Sequence, residues 1–162
     1  MWYSMDERKG ENMNKYFEEL NRKALEYSSK LYELRKKKDE CVEKDDWEGH
    51  GKCYEEIKKL ESENPLTNGE YKALRMIAYS DSEEFVLTDF LWENEIEDFC
   101  KALRNGEVES FICTNSSTAL MENIHGILKN GFEFAGLAEI EREVFRDWKE
   151  TIKGLRFRVK GR

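Results

Sequence analysis

The spacing of apolar residues between Met13 and Cys41 constrains this chain more than any other feature. Met13, Phe17, Leu20, Ala24, Tyr27, Leu31, Leu34, Lys38 and Cys41 recur in alternating steps of four and three, which is the heptad seam of one long helix. Glu, Lys, Arg and Asn fill much of the space between them, and no proline interrupts the run. A composition that is 38% charged, with aromatics supplying much of the apolar bulk, fits a compact part joined to a long solvated helical part. The seam predicts a helical arm beginning at Met13. Residues 1–12, MWYSMDERKGEN, have no periodicity and are expected to form a disordered leader.

Lys44-Asp45-Asp46 breaks the seam, and either aspartate can cap a second helix carrying Trp47, Cys53, Tyr54, Ile57 and Leu60. So short a break predicts an antiparallel helical hairpin over 13–63, with Trp47 buried near Cys41 and Leu60 near the Leu20 to Tyr27 stretch. The hairpin serves as a structural arm or, through 13–41, as a self-association surface. Asn64-Pro65 holds the only proline and closes the arm. Residues 64–162 are then expected to form a separate small domain.

That domain opens with Thr67-Asn68-Gly69-Glu70, a capping-box sequence, followed by the helical stripe Tyr71, Leu74, Ile77 and Ala78. Strand and helix signals then alternate. Phe85-Val86-Leu87 predicts a strand, Ile96, Phe99, Cys100 and Leu103 a helix ended by Asn105-Gly106, and Ser110 to Thr114 a second strand. Leu120, Met121, Ile124, Ile127 and Leu128 predict a helix ended by Asn130-Gly131, and 132–140 a third strand. Leu155 to Lys160 alternates apolar with basic residues, as a half-exposed edge strand does. The reading is α+β or α/β: a helical hairpin followed by a β-α-β-α-β-β domain whose first three strands are mostly parallel. Residues 141–154 read equally as a helix packing Val144, Phe145 and Trp148 or as a long loop.

The run FLWENEIEDFCKALRNGEVESFICTNSSTALMENIHGILKNGFEFAGLAEIE resembles a small, largely uncharacterised domain family of conjugative elements and phages of gut Firmicutes. The shared features are an acidic Trp-containing turn before a helix, an aromatic strand, a Ser-Thr-rich turn and a Gly-aromatic strand entry, over about residues 85–141. The resemblance implies a mobile-element accessory protein and brings no catalytic residues.

Composition narrows the function classes. A formal net charge of -8 argues against a broad basic face for duplex nucleic acid. Cys41, Cys53, Cys100 and Cys113 form no CxxC pair, and no signal-like or membrane-spanning run is present. A cytoplasmic protein with reduced thiols is expected.

Nucleophilic catalysis needs a base near Cys113, Ser116 or Ser117, and the chain holds only His50 and His125. His125 lies two helical turns beyond Thr118, about 11 Å of rise, too far for a direct hydrogen bond. Glu122 and His125 have the ExxH spacing of carboxylate-bridged metal helices, without a second such motif. Cys41, His50 and Cys53 lack the fourth ligand of structural zinc and serve more simply as seam residues. No enzyme activity, metal or cofactor is therefore expected.

Two clusters remain. Thr114, Asn115, Ser116, Ser117 and Thr118 sit between a strand and a helix, where small anions bind, yet the loop has no glycine, and Asn115 or Ser116 as N-cap accounts for its composition. Between Arg75 and Lys101 there is no lysine or arginine, while Asp81, Glu83, Glu84, Asp89, Glu93, Glu95, Glu97 and Asp98 are all acidic. Phe90, Leu91 and Trp92 lie within that block as apolar anchors in a charged rim. Asp89 to Glu93, with Glu95, Glu97 and Asp98, form the expected partner-binding surface, suited to a host or defence-system protein with a basic face. A weaker candidate is the basic C-terminal stretch, where Arg142, Arg146, Lys149, Lys153, Arg156, Arg158, Lys160 and Arg162 interleave with Phe145, Trp148 and Phe157 as a single-strand nucleic-acid surface would. Glu141, Glu143, Asp147 and Glu150 dilute it. Taken together, the expectation is a non-enzymatic inhibitor or adaptor of anti-CRISPR type acting on a nucleic-acid-handling complex, with a coiled-coil oligomer or an anion-binding domain as alternatives.

Overall fold

The computed structural model describes residues 13–80 and 84–161; the predicted leader, Asp81, Glu83 and Arg162 lie outside them. Among the described residues are five helices and four strands: α1 (Lys15–Glu43), α2 (Trp47–Ser62), α3 (Asn68–Tyr79), β1 (Val86–Leu87), α4 (Glu93–Asn105), β2 (Ser110–Cys113), α5 (Leu120–Lys129), β3 (Phe132–Phe145) and β4 (Trp148–Val159). From β1 onward this is the β-α-β-α-β-β order read from the sequence. The chain separates into two compact units, residues 19–66 and a second that includes 67–161 and the first turn of α1.

In the first unit every seam position from Leu20 to Cys41 is buried or half-buried while most neighbouring positions are exposed. Burial is deepest at Leu20 and Ala24. Asp46 caps α2 by accepting from the Gly49 backbone N–H at 2.9 Å. The helices run antiparallel: Arg35 meets Glu61 at 3.6 Å, and a Cβ added at Gly49 near the turn would lie 2.9 Å from Cys41 Sγ. One expectation changes here: Trp47 is 62% exposed, its ring edge-on to His50. Leu60 shares a groove with Lys30 and Leu34.

In the second unit Thr67 and Glu70 close the capping box of α3, with Thr67 Oγ1 accepting from the Glu70 N–H and Glu70 Oε1 from the Thr67 N–H. Gly69 lets α3 lie directly on α4. A Cβ there would stand 2.4 Å from the Glu95 carbonyl oxygen, so no larger residue fits without moving backbone. Asn14 begins α1, accepting from the Phe17 N–H and donating to the Gly106 carbonyl.

The sheet has the order β1-β2-β4-β3, with β1 parallel to β2 and β4 antiparallel to both its neighbours. The first three strands thus share a direction, but β4 is inserted between β2 and β3. The expected edge strand is therefore interior. Its alternating arginines are accommodated by carboxylates: Arg156 forms two 2.8 Å hydrogen bonds to Glu84, and Arg158 meets Glu133 at 2.7 Å. On the other face a row of rings forms the core. Phe111 stacks on Phe157 at 5.6 Å and takes Phe99 and Phe132 edge-on at 5.7 and 5.4 Å. Residues 141–154 are neither helix nor loop. They continue β3 and β4 into a two-stranded arm that turns at Arg146-Asp147, where Phe145 pairs with Trp148 and Asp147 takes a left-handed φ of 59°.

Candidate functional site

A cavity of about 1030 Å³ opens between α3 and the arm. Met76, Val86, Leu87, Ile140, Ile152 and Phe145 give it an apolar lining. Charged groups stand around them: Arg75 pairs with Asp89 at 3.3 Å, Arg142 with Glu150, and Lys149 lies nearer the turn. Such a volume reaches the upper end of small-ligand pockets. Five cations, Lys72, Arg75, Arg142, Arg146 and Lys149, line it against three acids, Asp89, Glu141 and Glu143, so the wall carries an excess of positive charge crossed by salt bridges.

The candidates expected from the sequence contribute unequally to this cavity. Thr114 comes from the 114–118 loop, Asp89 from the acidic block, and Arg142, Phe145, Arg146 and Lys149 from the basic C-terminal stretch. The cavity itself escaped sequence reasoning because half its wall is the arm. The remaining members of the two clusters separate by role.

In the loop, Asn115 is buried and structural. Its Oδ1 accepts from the Ser117 N–H at 2.7 Å and its Nδ2 donates to Asn123 Oδ1 at 3.1 Å. It does not cap the helix, and neither does Ser116. The N-cap of α5 is Ala119, which makes no side-chain bond. The Ser117 amide that an incoming anion would use is already bonded, whereas Ser116 and Thr118 are exposed.

The acidic block divides more sharply. Leu91 is 1% exposed and belongs to the core, and Glu95 is 5% exposed with its carboxylate 2.6 Å from Lys72 Nζ and accepting from the Trp92 N–H at 3.0 Å. Those two residues are a foundation rather than a contact surface. Phe90 and Trp92 do reach solvent, 37% and 59% exposed, with rings edge-on at 4.9 Å. Lys72 Nζ donates to the Phe90 carbonyl at 2.8 Å and lies 4.8 Å from the Phe90 ring centroid. Glu93 and Glu97 are exposed, and Asp89 and Asp98 half-exposed, around the pair.

Of the basic C-terminal stretch, Phe157 is wholly buried, while Phe145 and Trp148 are 72% and 61% exposed at the tip of the arm. The seam of α1 is partly consumed within one chain, since Met13, Phe17, Leu20 and Ala24 are buried and only Tyr27 onward is half-open. Burial pushes both core thiols up, Cys100 to about 12, which leaves neither suited to attack as a thiolate at neutral pH. His125 is exposed on α5. Among the described residues no group of three or more His, Cys, Asp or Glu side chains is placed to hold a metal ion, and no helix is long and apolar enough to cross a membrane.

Residues 70–159 match the family model of a domain of unknown function, DUF7698, a span that reaches from the first turn of α3 to the end of β4. It is wider than the 85–141 resemblance and takes in both walls of the cavity; the match carries no activity and no association with conjugative elements or phages. No curated protein and no solved structure matches the chain.

Proposed function

The chain belongs to the DUF7698 family, and from that premise we propose that it is a non-enzymatic binding protein whose contact surface is built on Phe90 and Trp92. The observation that carries the reading is this exposed aromatic pair held on a rigid base. Leu91 between them is locked into the core, and Lys72 fixes Phe90 from below. Preordered aromatic anchors lose little side-chain freedom on binding, which is why such residues dominate interface energetics.

Asp89, Glu93, Glu97 and Asp98 give the surroundings a negative potential, so the partner presents a basic surface. Nucleic-acid-handling proteins carry such surfaces for phosphate. The finer reading is a cytoplasmic inhibitor or adaptor from a mobile element, of anti-CRISPR type, that covers the nucleic-acid path of a host or defence complex. Pull-downs from bacterial lysate at low and moderate salt test this with wild type beside Phe90→Ala/Trp92→Ala, both checked for folding by circular dichroism. Recovery of a nucleic-acid-processing protein by wild type, lost in the double variant, is the expected result. Recovery of none at either salt overturns the reading.

A further inference from the structure

β3 is the outer strand of the sheet on the side away from β1, and from Leu137 to Glu143 it pairs with β4 in continuous register, which leaves its outward backbone groups without a strand partner. We propose that this edge takes up an extended segment of a partner protein as a further strand, a segment apolar at one end and carrying lysine or arginine at alternate positions toward the other.

The edge has two chemically distinct halves. Phe134 and Leu137, which register with Phe157 and Leu155, are 50% and 78% exposed and offer apolar side chains on the face that holds the phenylalanine core. Between them the register shifts, and Gly136 takes a φ of +102°, a bulge that ends the regular edge on that side. Beyond Leu137 the same face presents Glu139, Glu141 and Glu143, all exposed and without an ion pair among the described residues. Lys153 and Lys149 stand opposite Glu139 and Glu143 one strand inward, so a basic strand outside would continue an alternation of charge rows. The interleaved positions are half-buried Ile140 and exposed Arg142, the latter paired with Glu150.

A second copy of the chain fits poorly. Antiparallel pairing of β3 with itself keeps the faces matched, and registers that overlap Glu139 to Glu143 set glutamate against glutamate. A partner with alternating positive charge has no such conflict, and its unpaired backbone groups would meet those of β3. The edge is separate from Phe90 and Trp92, which follow β1 at the opposite side of the sheet, so it stands independently of the contact surface proposed above.

Fluorescence anisotropy at low ionic strength with a labelled peptide Val-Thr-Val-Thr-Lys-Thr-Lys-Thr-Lys, and with its reversed sequence, tests the proposal. Saturable binding of one of the two is expected, weakened about tenfold or more by Glu139→Lys/Glu141→Lys/Glu143→Lys, and abolished when alternate peptide nitrogens are methylated. The substituted positions are exposed, and circular dichroism checks that the variant folds. Absence of saturable binding by both peptides overturns the proposal. So does equal binding of the methylated peptide, which shows charge attraction without strand addition.

Discussion

The side-chain amide of Asn123 pairs with both backbone groups of Leu91, accepting from its N–H at 2.9 Å and donating to its carbonyl at 2.6 Å, with both residues almost wholly buried. A helix side chain thereby does for an isolated extended segment what a neighbouring strand would do. The same Oδ1 accepts from Asn115, so one residue of α5 positions both the segment that carries Phe90 and Trp92 and the loop that follows β2.

Asn123→Ala leaves the Leu91 N–H and carbonyl and the Asn115 amide without partners in a dry site. Each orphaned group costs about 1–3 kcal/mol, and with partial relaxation a total loss of about 3 kcal/mol is expected in urea unfolding. A loss under about 1 kcal/mol shows that these groups find other partners.

Lys72 and Glu95 form an ion pair whose side chains are only 16% and 6% exposed. Removing one charge strands the other, so Lys72→Met and Glu95→Leu are each expected to cost about 3–5 kcal/mol. The double variant should be less damaging than the two costs added, because it leaves no uncompensated charge, although the Trp92 N–H still loses its acceptor. A double-mutant cycle measures the coupling; additive effects rule it out.

Acid sensitivity is expected at the Glu84–Arg156 pair. Two hydrogen bonds from the guanidinium hold the Glu84 carboxyl below its usual 4.5. A carboxylate depressed in the folded state contributes stability that is full above its unfolded value and is lost as pH falls through the folded one. The melting temperature should therefore drop below about pH 4.5, and Glu84→Gln should flatten that part of the profile. Because Glu84 is 40% exposed, the effect is small.

The four thiols should divide into two pairs. Cys41 and Cys53 are half-buried, while Cys100 and Cys113 are buried; burial raises the thiols of Cys100 and Cys113, and burial together with Asp46 raises that of Cys41, so access is what separates the pairs. A disulfide reagent at neutral pH is expected to label the first pair in the native protein and the second only after denaturation. Rapid native labelling of Cys100 would show that α4 opens readily.

How much was legible in the sequence follows the range of the interactions involved. Asp46 and Thr67 were recognisable as caps because each bonds to an amide three residues away. The seam of α1 was visible because its positions lie on one helix face. The arm was not: its residues from Glu141 to Lys149 are exposed on both faces, which removes the alternation that marks a strand. Asn115 read as a cap, and nothing local announces that it meets Asn123, eight residues on, in the core.

The sequence by itself determined the order and limits of most elements, since helix caps, glycine stops and apolar periods act within one or two turns of chain. Only the tertiary structure decided that β4 enters between β2 and β3, that its arginines are met by Glu84 and Glu133, and that α3 and the arm enclose a cavity. Those outcomes depend on groups separated by 25 to 72 positions. Pairings of that separation are chosen by the packing of the whole sheet, and no local pattern encodes them.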